Sequence, residues 1–387
     1  MTSRTEALVG GAVGSARGRR RPPRSARLLR LAAVVAVVAT LSGCGATAAT
    51  SASTPAPSTP ATAPAADARA GLADPRTITG PSTAAPVADV VPITKTPKPQ
   101  LPVTVDDASG TKVTVSDASR ILALDVYGTL AETVVGLGLG DRLVGRGASN
   151  TLSVMKKLPL VTQNGHELNG EAILALHPTL VLTDTTLGPR DVQDQLRASG
   201  VTVVFFDSER SIATIGSQIE TVAHAVGLDA DGARLSKRVA GDLAAAKKTI
   251  AAMAPTGDDR LRAALLYVRG RAGVFFLFGK GMGADDLIGA LGAVDVATEA
   301  GITGAKPANS EALLATNPDV FLMMTDGLAS TGGVDGLLQR PGVADTAAGQ
   351  HRRIVDMNDG QLMSFGPTTP AVLLSLADAL YRPEAAK

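Results

Sequence analysis

The sequence predicts an α/β protein with two similar lobes that are joined by one long helix. Short apolar segments alternate with amphipathic helical segments on both sides of residues 230–253, a helical stretch rich in Ala, Lys and Arg. Such alternation is typical of parallel sheets covered by helices. In addition, residues 169–182 and 309–322 are identical at seven of fourteen positions. We therefore expect two Rossmann-like lobes, at residues 101–228 and 255–387, bridged by a linking helix at residues 229–254.

The first 43 residues have the organisation of a secretory signal peptide. Eight arginines precede residue 31, and an apolar run follows from Leu31 to Leu41. This run is too short to cross a bilayer of about 30 Å at a rise of about 1.5 Å per residue. It ends in Leu41-Ser42-Gly43-Cys44, which resembles the bacterial lipobox, where the cysteine is acylated. We therefore expect a lipoprotein that Cys44 anchors to the extracytoplasmic face of the cell membrane.

Removal of the signal peptide changes the charge balance. The whole chain carries 37 basic and 36 acidic residues, whereas the chain from Cys44 onward carries 29 and 35, a net charge of −6. A chain with this balance lacks the basic character that nucleic-acid binding requires. Because Cys44 is the only cysteine, the folded part can form neither an internal disulfide nor a thiolate metal site.

Residues 44–100 have the composition of a disordered tether. Residues 45–100 contain ten of the 23 prolines, many Ala, Thr and Ser residues, and no aromatic residue. Such a segment buries too little apolar surface to offset the entropy lost on ordering. We expect a spacer between the membrane and the folded part, with a glycosylation or interaction role as the alternative.

From residue 101 onward the pattern is that of a folded α/β protein. A hairpin is predicted for residues 101–105 and 112–115, because a polar Gly-containing turn separates two short apolar runs. The remaining predicted elements of the first lobe are strands at 121–124, 180–182 and 201–206 and helices at 129–138, 171–176 and 189–199. Those of the second lobe are strands at 263–268, 274–278 and 319–323 and helices at 284–291 and 310–315.

The repeated window places a glutamate at the same point of both lobes. Asn169-Gly170-Glu171 opens a helix in the first lobe, and Asn309-Ser310-Glu311 opens one in the second. A carboxylate in the first turn complements the helix dipole and stays exposed to solvent. The alternative interpretation is a general pattern, in which a proline ends a helix before an apolar strand.

The combination of lipobox, tether, hairpin and two such helical units resembles the helical-backbone substrate-binding proteins of ABC importers. That class takes up cobalamin, ferric siderophores and haem. The resemblance covers roughly residues 100–383 and implies two rigid lobes that hold the ligand between them. It also implies that Glu171 and Glu311 each pair with arginines of the permease dimer, whose ATPase drives uptake.

Three residues resemble those of the haem-binding subfamily of Gram-positive actinobacteria. Tyr267 and Arg269 share one face of a predicted strand, and His166 lies about 100 residues earlier in a polar loop. In that subfamily one lobe supplies an axial His to the haem iron and the other an axial Tyr. The resemblance therefore assigns His166 and Tyr267 as axial ligands and Arg269 as the residue that tunes Tyr267. Imidazole and phenolate both suit haem iron, and a nearby guanidinium favours the phenolate.

Four further residues are candidate contacts of the ligand in the cleft. Tyr127 follows the strand at 121–124, at the carboxyl end of a parallel sheet, where α/β proteins bind ligands. Gly281 and Met282 lie in a glycine-rich loop whose backbone N–H groups could approach a haem propionate. Met323 is a candidate contact for the porphyrin face, with ordinary core packing as the alternative.

These observations predict a lipid-anchored, monomeric component of an ABC importer that captures haem. The alternative within the class is a ferric-siderophore or cobalamin binder, for which Arg146, Arg269 and Arg271 are the available cations. The alternative outside the class is an extracellular enzyme. The sequence contains no nucleophile elbow, no His-Glu-x-x-His motif and no acid pair with hydrolytic spacing, so we predict no catalysis.

Overall fold

A computed structural model describes residues 71–383, so the predicted signal peptide, Cys44 and the first part of the predicted tether lie outside the described residues. The segment before the first lobe contributes β1 (Ser82–Thr83). The first lobe contains β2 (Val103–Asp106), β3 (Lys112–Val115), β4 (Ile121–Leu124), α1 (Thr129–Gly136), β5 (Thr162–Gln163), β6 (Glu167–Leu168), α2 (Gly170–Ala175), β7 (Leu180–Thr183), α3 (Arg190–Ala198), β8 (Thr202–Phe205) and α4 (Ile215–Ala225). The linking helix is α5 (Asp229–Met253). The second lobe contains β9 (Arg262–Arg269), β10 (Val274–Phe278), α6 (Ala284–Ala290), β11 (Val294–Asp295), α7 (Val296–Glu299), β12 (Ala305–Pro307), α8 (Ser310–Thr316), β13 (Val320–Met324), α9 (Thr325–Ala329), α10 (Gly333–Leu338), α11 (Ala347–Gln350), β14 (Ile354–Met357) and α12 (Thr369–Tyr381).

The first lobe is built on a parallel sheet with the strand order β4-β7-β8. Every residue of β4 and β7 is buried, as expected for strands that pack between two layers. This lobe also contains the antiparallel hairpins β2–β3 and β5–β6, and β3 contacts β8. The carboxyl ends of the three parallel strands meet at one edge, which is where the polar side chains of this lobe gather.

The second lobe has a mixed sheet with the order β1-β14-β13-β9-β10-β12, and β11 also pairs with β9. The strands β1, β14, β13 and β9 run parallel, whereas β10 is antiparallel to both β9 and β12. Only residues 270–273 connect β9 to β10, too few for a crossover helix, so these strands form a hairpin. The predicted two-lobe α/β architecture is confirmed, with this hairpin as an addition to the parallel strands.

The linking helix α5 joins the hydrophobic cores of the two lobes. Its buried side chains include Leu235, Val239, Ala246 and Ile250, whose spacing places them on one face. This face packs against α4 of the first lobe and α12 of the second. Within residues 71–383, no helix combines the length and the apolar character that a membrane span requires.

Residues 71–100, here called the strap, are part of the folded structure, so the prediction of a disordered tether is wrong for this stretch. The strand β1 pairs with β14, and Gln361 donates to the carbonyl of Val87 at 2.7 Å. Ala84 and Val90 are buried, and the N–H of Ile93 donates to Gly136 of α1 at 2.8 Å. The strap therefore contacts both lobes. The prediction from composition failed because backbone pairing and small apolar side chains order the strap. A sequence rich in Pro, Ala and Thr can still provide both.

Candidate ligand-binding site

Tyr267 and Arg269 lie together at the carboxyl end of β9. The ring of Tyr267 stacks on Phe278 with 5.4 Å between centroids, and the Arg269 guanidinium carbon lies 4.8 Å from the Tyr267 centroid. Arg269 Nη2 donates to Asp359 Oδ2 at 2.8 Å and lies 3.5 Å from Met324 Sδ. The stack on Phe278 fixes the ring of Tyr267, and because the residue is only half-buried, part of it faces solvent. The structure thus brings the predicted Tyr and Arg into contact.

A second polar cluster lies at the carboxyl ends of the first lobe's strands. Asp184 follows β7 and forms a 2.7 Å ion pair with Arg210, and both side chains are buried. Asp125 follows β4, is fully buried, and accepts the backbone N–H of Tyr127 at 2.9 Å. Burial and the neighbouring Asp125 raise the pKa of Asp184, while Arg210 opposes the rise.

Tyr127 is the cleft candidate within this second cluster. The Arg210 guanidinium lies 5.6 Å from its ring centroid, and the ring is half-buried. Burial raises the pKa of Tyr127 above its usual value, so its hydroxyl is a neutral donor at physiological pH. The group can therefore donate a hydrogen bond to an acceptor such as a carboxylate.

His166 lies at the exposed turn of the β5–β6 hairpin in the first lobe. The preceding Asn164 and Gly165 have φ values of 50° and 85°, a conformation that these two residue types adopt most readily. The N–H of Gly188 donates to the His166 carbonyl at 3.1 Å, which fixes the backbone of the turn. Across residues 71–383 no hydrogen bond joins His166 to Tyr267, and the two residues belong to different lobes.

One of the predicted cleft contacts, Met323, needs correction. Met323 is fully buried in the core of the second lobe, because β13 lies between β9 and β14 with both faces covered. Its neighbour Met324, at the end of the strand, is half-buried and reaches Arg269. The predicted contact to the porphyrin face by Met323 is therefore wrong for this structure.

The glycine-rich loop also differs from the expected carboxylate cradle. The backbone N–H groups of residues 279–282 all have partners, and that of Gly281 donates to Asp285 Oδ2 at 3.3 Å. A second carboxylate at this point would meet the negative charge of Asp285. Gly281 is exposed and Met282 is half-buried, so contact with a ligand through their surfaces stays a prediction.

Glu171 and Glu311 occupy matching places in the two lobes. Each is the second residue of a short helix, α2 or α8, and each carboxylate is exposed. The side chains of Asn169 and Asn309 accept the N–H groups of Ala172 and Ala312 at 3.0 and 2.9 Å. Both helices therefore begin with the same Asn cap, which is the local basis of the repeat seen in the sequence.

Sequence reasoning missed the charged partners of these clusters. Asp125 directly follows the predicted strand at 121–124, and Asp184 directly follows the observed strand β7, one residue longer than predicted. A position just after a strand was the available signal, since polar residues there face the binding edge of a parallel sheet. Asp359 follows β14 by two residues and reaches Arg269 from 90 positions away. Only the order of strands in the sheet brings Asp359 to Arg269.

Solved structures with the same fold are known. The haem binding protein HmuT superposes with a TM-score of 0.78 at 48% identity, and the match covers 80% of this chain and 100% of that chain. The periplasmic haem-binding protein RhuT from Roseiflexus sp. RS-1 superposes with a TM-score of 0.63 at 36% identity, over 70% of this chain and 100% of that one. The expected resemblance to haem-binding importer proteins is confirmed by these matches.

A curated relative is also a substrate-binding protein of an ABC transporter. YvrC of Bacillus subtilis (strain 168), described as an uncharacterized ABC transporter substrate-binding lipoprotein, is 27% identical over 285 residues, which is 72% of this chain and 86% of that protein. Proteins of this kind bind substrates and do not transform them, in agreement with the prediction of no catalysis. The family model of periplasmic binding proteins matches residues 126–359, a range that contains both repeated helices and every residue of the two polar clusters except Asp125. The chain therefore belongs to the periplasmic binding protein family.

Proposed function

We propose that this protein captures haem between its two lobes, through His166 and Tyr267, and delivers it to the permease and ATPase of an ABC importer. The observation that carries the proposal is the Tyr267–Arg269 pair at the carboxyl end of β9, in which the guanidinium carbon lies 4.8 Å from the ring centroid. The phenolate of a tyrosine is a hard anionic donor that suits ferric iron, and the guanidinium of Arg269 lies over the ring that would supply it.

The variants in which HmuT has been solved support these roles. They include single replacements of a tyrosine, a histidine and an arginine by alanine. In HmuT the replaced arginine follows the tyrosine by two positions and the histidine precedes it by 99. Here Arg269 follows Tyr267 by two positions and His166 precedes it by 101. The Tyr–Arg spacing is identical and the His–Tyr spacing differs by two residues, which supports the same three roles in this chain.

The positions of the two ligands suggest how iron would hold the lobes together. Tyr267 is fixed by its stack on Phe278, whereas His166 lies on an exposed hairpin turn of the other lobe. One bond from each lobe to the same iron would close the cleft around the porphyrin. Tyr127 then lies on the first lobe's side as a hydrogen-bond donor for a propionate, beside an Arg210 that is buried and paired with Asp184.

The ion pair of Arg269 helps to decide between haem and a ferric siderophore as the ligand. Anionic siderophores require several free cations, but Arg269 already forms an ion pair with Asp359. Haem has only two propionates and would bind chiefly through its iron, so it depends less on such a set. This contact therefore favours haem over a ferric siderophore.

Hemin titration of the purified folded part tests the proposal. Absorption difference spectra should saturate at one hemin per chain, and metal-free protoporphyrin IX should bind much more weakly because it lacks the iron. Cyanocobalamin and a ferric catecholate siderophore serve as the alternative ligands. Binding of either in preference to hemin would exclude the proposed ligand.

The docking proposal concerns Glu171 and Glu311. Both carboxylates are exposed, and neither forms an ion pair with any residue between 71 and 383. Exposed ion pairs are individually weak, about 0–1 kcal/mol, so they would mainly orient the protein on a two-fold permease. The double substitution Glu171→Arg, Glu311→Arg should leave hemin binding intact and abolish stimulation of the importer's ATP hydrolysis. Normal stimulation by that variant would refute the docking role.

The membrane proposal concerns Cys44. We propose that acylated Cys44 forms the mature N-terminus and anchors a monomer at the extracytoplasmic face of the membrane. Cys44→Ala should move the protein from the membrane fraction and the detergent phase to the soluble fraction, whereas Ser42→Ala should not. Unchanged membrane partitioning of the Cys44→Ala protein would refute lipid anchoring.

A further inference from the structure

Two exposed leucines occupy equivalent places in the repeated helices. Leu174 of α2 is 38% exposed and Leu314 of α8 is 48% exposed, and each follows the repeated glutamate by three residues. Residues three apart on a helix are neighbours on its surface, so each lobe presents a carboxylate beside an apolar side chain. We call Glu171 with Leu174, and Glu311 with Leu314, the two Glu–Leu units.

Packing within the lobes does not explain these leucines. The residue before each one, Ile173 or Leu313, is fully buried and supplies the helix's contact with the core. Large apolar residues that are exposed are few among residues 71–383: Val91, Val154, Leu160, Leu174 and Leu314. A single exposed leucine is ordinary, but two of these five residues occupy the same position of a duplicated element.

The surface beside Leu174 is concave. A hollow of about 280 Å³ is lined by Glu171 and Leu174 together with Val192, Gln195 and Leu196 of α3. An arginine that met Glu171 would lie at the edge of this hollow, with apolar surface next to it. The first lobe can therefore receive a side chain that carries both a cation and apolar groups.

We propose that the two Glu–Leu units are the contact points of one two-fold symmetric partner, the permease dimer, and that the leucines provide the salt-insensitive part of its binding. This inference rests on the docking role proposed above and adds the apolar component to it. The partner would present an arginine with an adjoining apolar patch twice, once from each half. The duplicated sequence, the unpaired carboxylates and the hollow argue for this occupant.

Charge and apolar burial predict different responses to salt. Attraction between exposed charges is screened over about 8 Å at physiological ionic strength and over about 3 Å at 1 M salt. Burial of a leucine does not depend on such screening. The two parts of a Glu–Leu unit can therefore be separated by measuring affinity at two salt concentrations.

The experiment measures the affinity of the haem-loaded full chain for a purified permease–ATPase complex whose ATP hydrolysis the wild-type chain stimulates. The variants are Leu174→Ala with Leu314→Ala, and Glu171→Gln with Glu311→Gln. Leu160→Ala is the matched control, because Leu160 is 48% exposed and lies outside both repeated helices. The double leucine variant should bind about ten-fold more weakly than the wild type, at low and high salt alike. The glutamine variant should lose affinity only at low salt, and Leu160→Ala should bind like the wild type.

Two outcomes overturn the inference and can be told apart. If the glutamine variant loses affinity while the alanine variant binds normally, docking through the glutamates stands and the role of the leucines is wrong. If both double variants bind normally, the docking proposal fails as well. Weakening by the leucine change that disappears at high salt also contradicts the inference. Hemin titration of each variant shows that the fold and the ligand site are intact.

Discussion

Arg269 connects Tyr267 to a carboxylate on the neighbouring part of the sheet. Its ion pair with Asp359 is 2.8 Å long, and Asp359 Oδ1 accepts the backbone N–H of Asp326 at the same distance. Burial raises the pKa of Asp359, and the positive charge of Arg269 opposes the rise. Asp359 thus holds the guanidinium over the ring of Tyr267 and offsets part of its charge. It is a positioning residue for the proposed iron site.

The substitution Asp359→Asn should make the haem complex more resistant to acid. Removal of the carboxylate leaves more of the Arg269 charge to stabilise a bound phenolate, so protonation of that ligand requires a lower pH. The measurement is the midpoint of the acid-induced spectral change of the haem-loaded protein. Arg269→Gln should move this midpoint upward.

A matched control tests whether any lost ion pair has this effect. Asp335 also pairs with an arginine, Arg352, and its side chain is 79% exposed. Asp335→Asn should leave the midpoint unchanged. An upward shift for Asp359→Asn, or equal shifts for the two asparagine variants, would contradict the positioning role.

At the residue scale, the sequence predicts only what lies close along the chain. Tyr267 and Arg269 could be paired because two residues on one strand share a face. Asp359 could not, because it depends on the order of β9, β13 and β14 in the sheet. The predicted contact by Met323 failed for a related reason, since a central strand is covered on both faces and only its end, at Met324, reaches the edge.

At the scale of elements, the sequence predicts the short apolar strands, because proline or glycine residues mark where they begin and end. The strands at 121–124 and 274–278 have the predicted bounds, and the long helix begins and ends within one residue of those predicted from the sequence. The strand β1 has two residues and no apolar pattern, so only its pairing with β14 identifies it. Pairing between residues more than 270 positions apart leaves no local signal in the sequence.

The strap should contribute measurably to stability. A chain beginning at residue 101 lacks the β1–β14 pairing, the two hydrogen bonds between Val87 and Gln361, and the buried Ala84 and Val90. We expect its Tm to lie at least about 5 °C below that of a chain beginning at residue 71. Thermal unfolding followed by circular dichroism measures the difference. Equal Tm values would show that the strap contributes no stability.

On the scale of the whole molecule, a buried carboxyl group joins the lobes. Glu132 of α1 is almost fully buried and accepts the backbone N–H of Thr368, which precedes α12 of the second lobe. A Cβ on Gly366 would lie 2.7 Å from Glu132 Oε2, so the backbone of the second lobe packs directly on the carboxyl group. Burial raises the pKa of Glu132 from 4.5 to about 7.

This raised pKa predicts a pH dependence of stability. Between pH 4.5 and about 7 the folded chain binds a proton at Glu132 that the unfolded chain has released. The stabilising contribution of protonated Glu132 is therefore complete below pH 4.5 and is lost as the pH rises through 7. Glu132→Gln keeps an acceptor for Thr368 and carries no charge at any pH.

The variant Glu132→Gln should therefore unfold like the wild type near pH 4.5 and be more stable above pH 7, by on the order of 3 kcal/mol. Urea denaturation at both pH values measures the two differences. Glu311→Gln, which removes an exposed carboxylate near a helix start, is the control and should change neither value by more than about 1 kcal/mol. A Glu132→Gln effect of the same size at both pH values would contradict the burial argument.

The visible spectrum of the haem complex tests the central claim, axial ligation by His166 and Tyr267, most directly. Tyr267→Phe keeps the ring stacked on Phe278 and removes only the ligating oxygen, and His166→Ala removes the imidazole. The matched controls are Tyr381→Phe, whose hydroxyl donates to the Leu291 carbonyl, and His351→Ala. The account predicts altered Soret and charge-transfer bands for both ligand variants, with the larger change for Tyr267→Phe because it removes the anionic donor, and wild-type bands for both controls. Wild-type spectra for Tyr267→Phe and His166→Ala would contradict it, even if haem still bound.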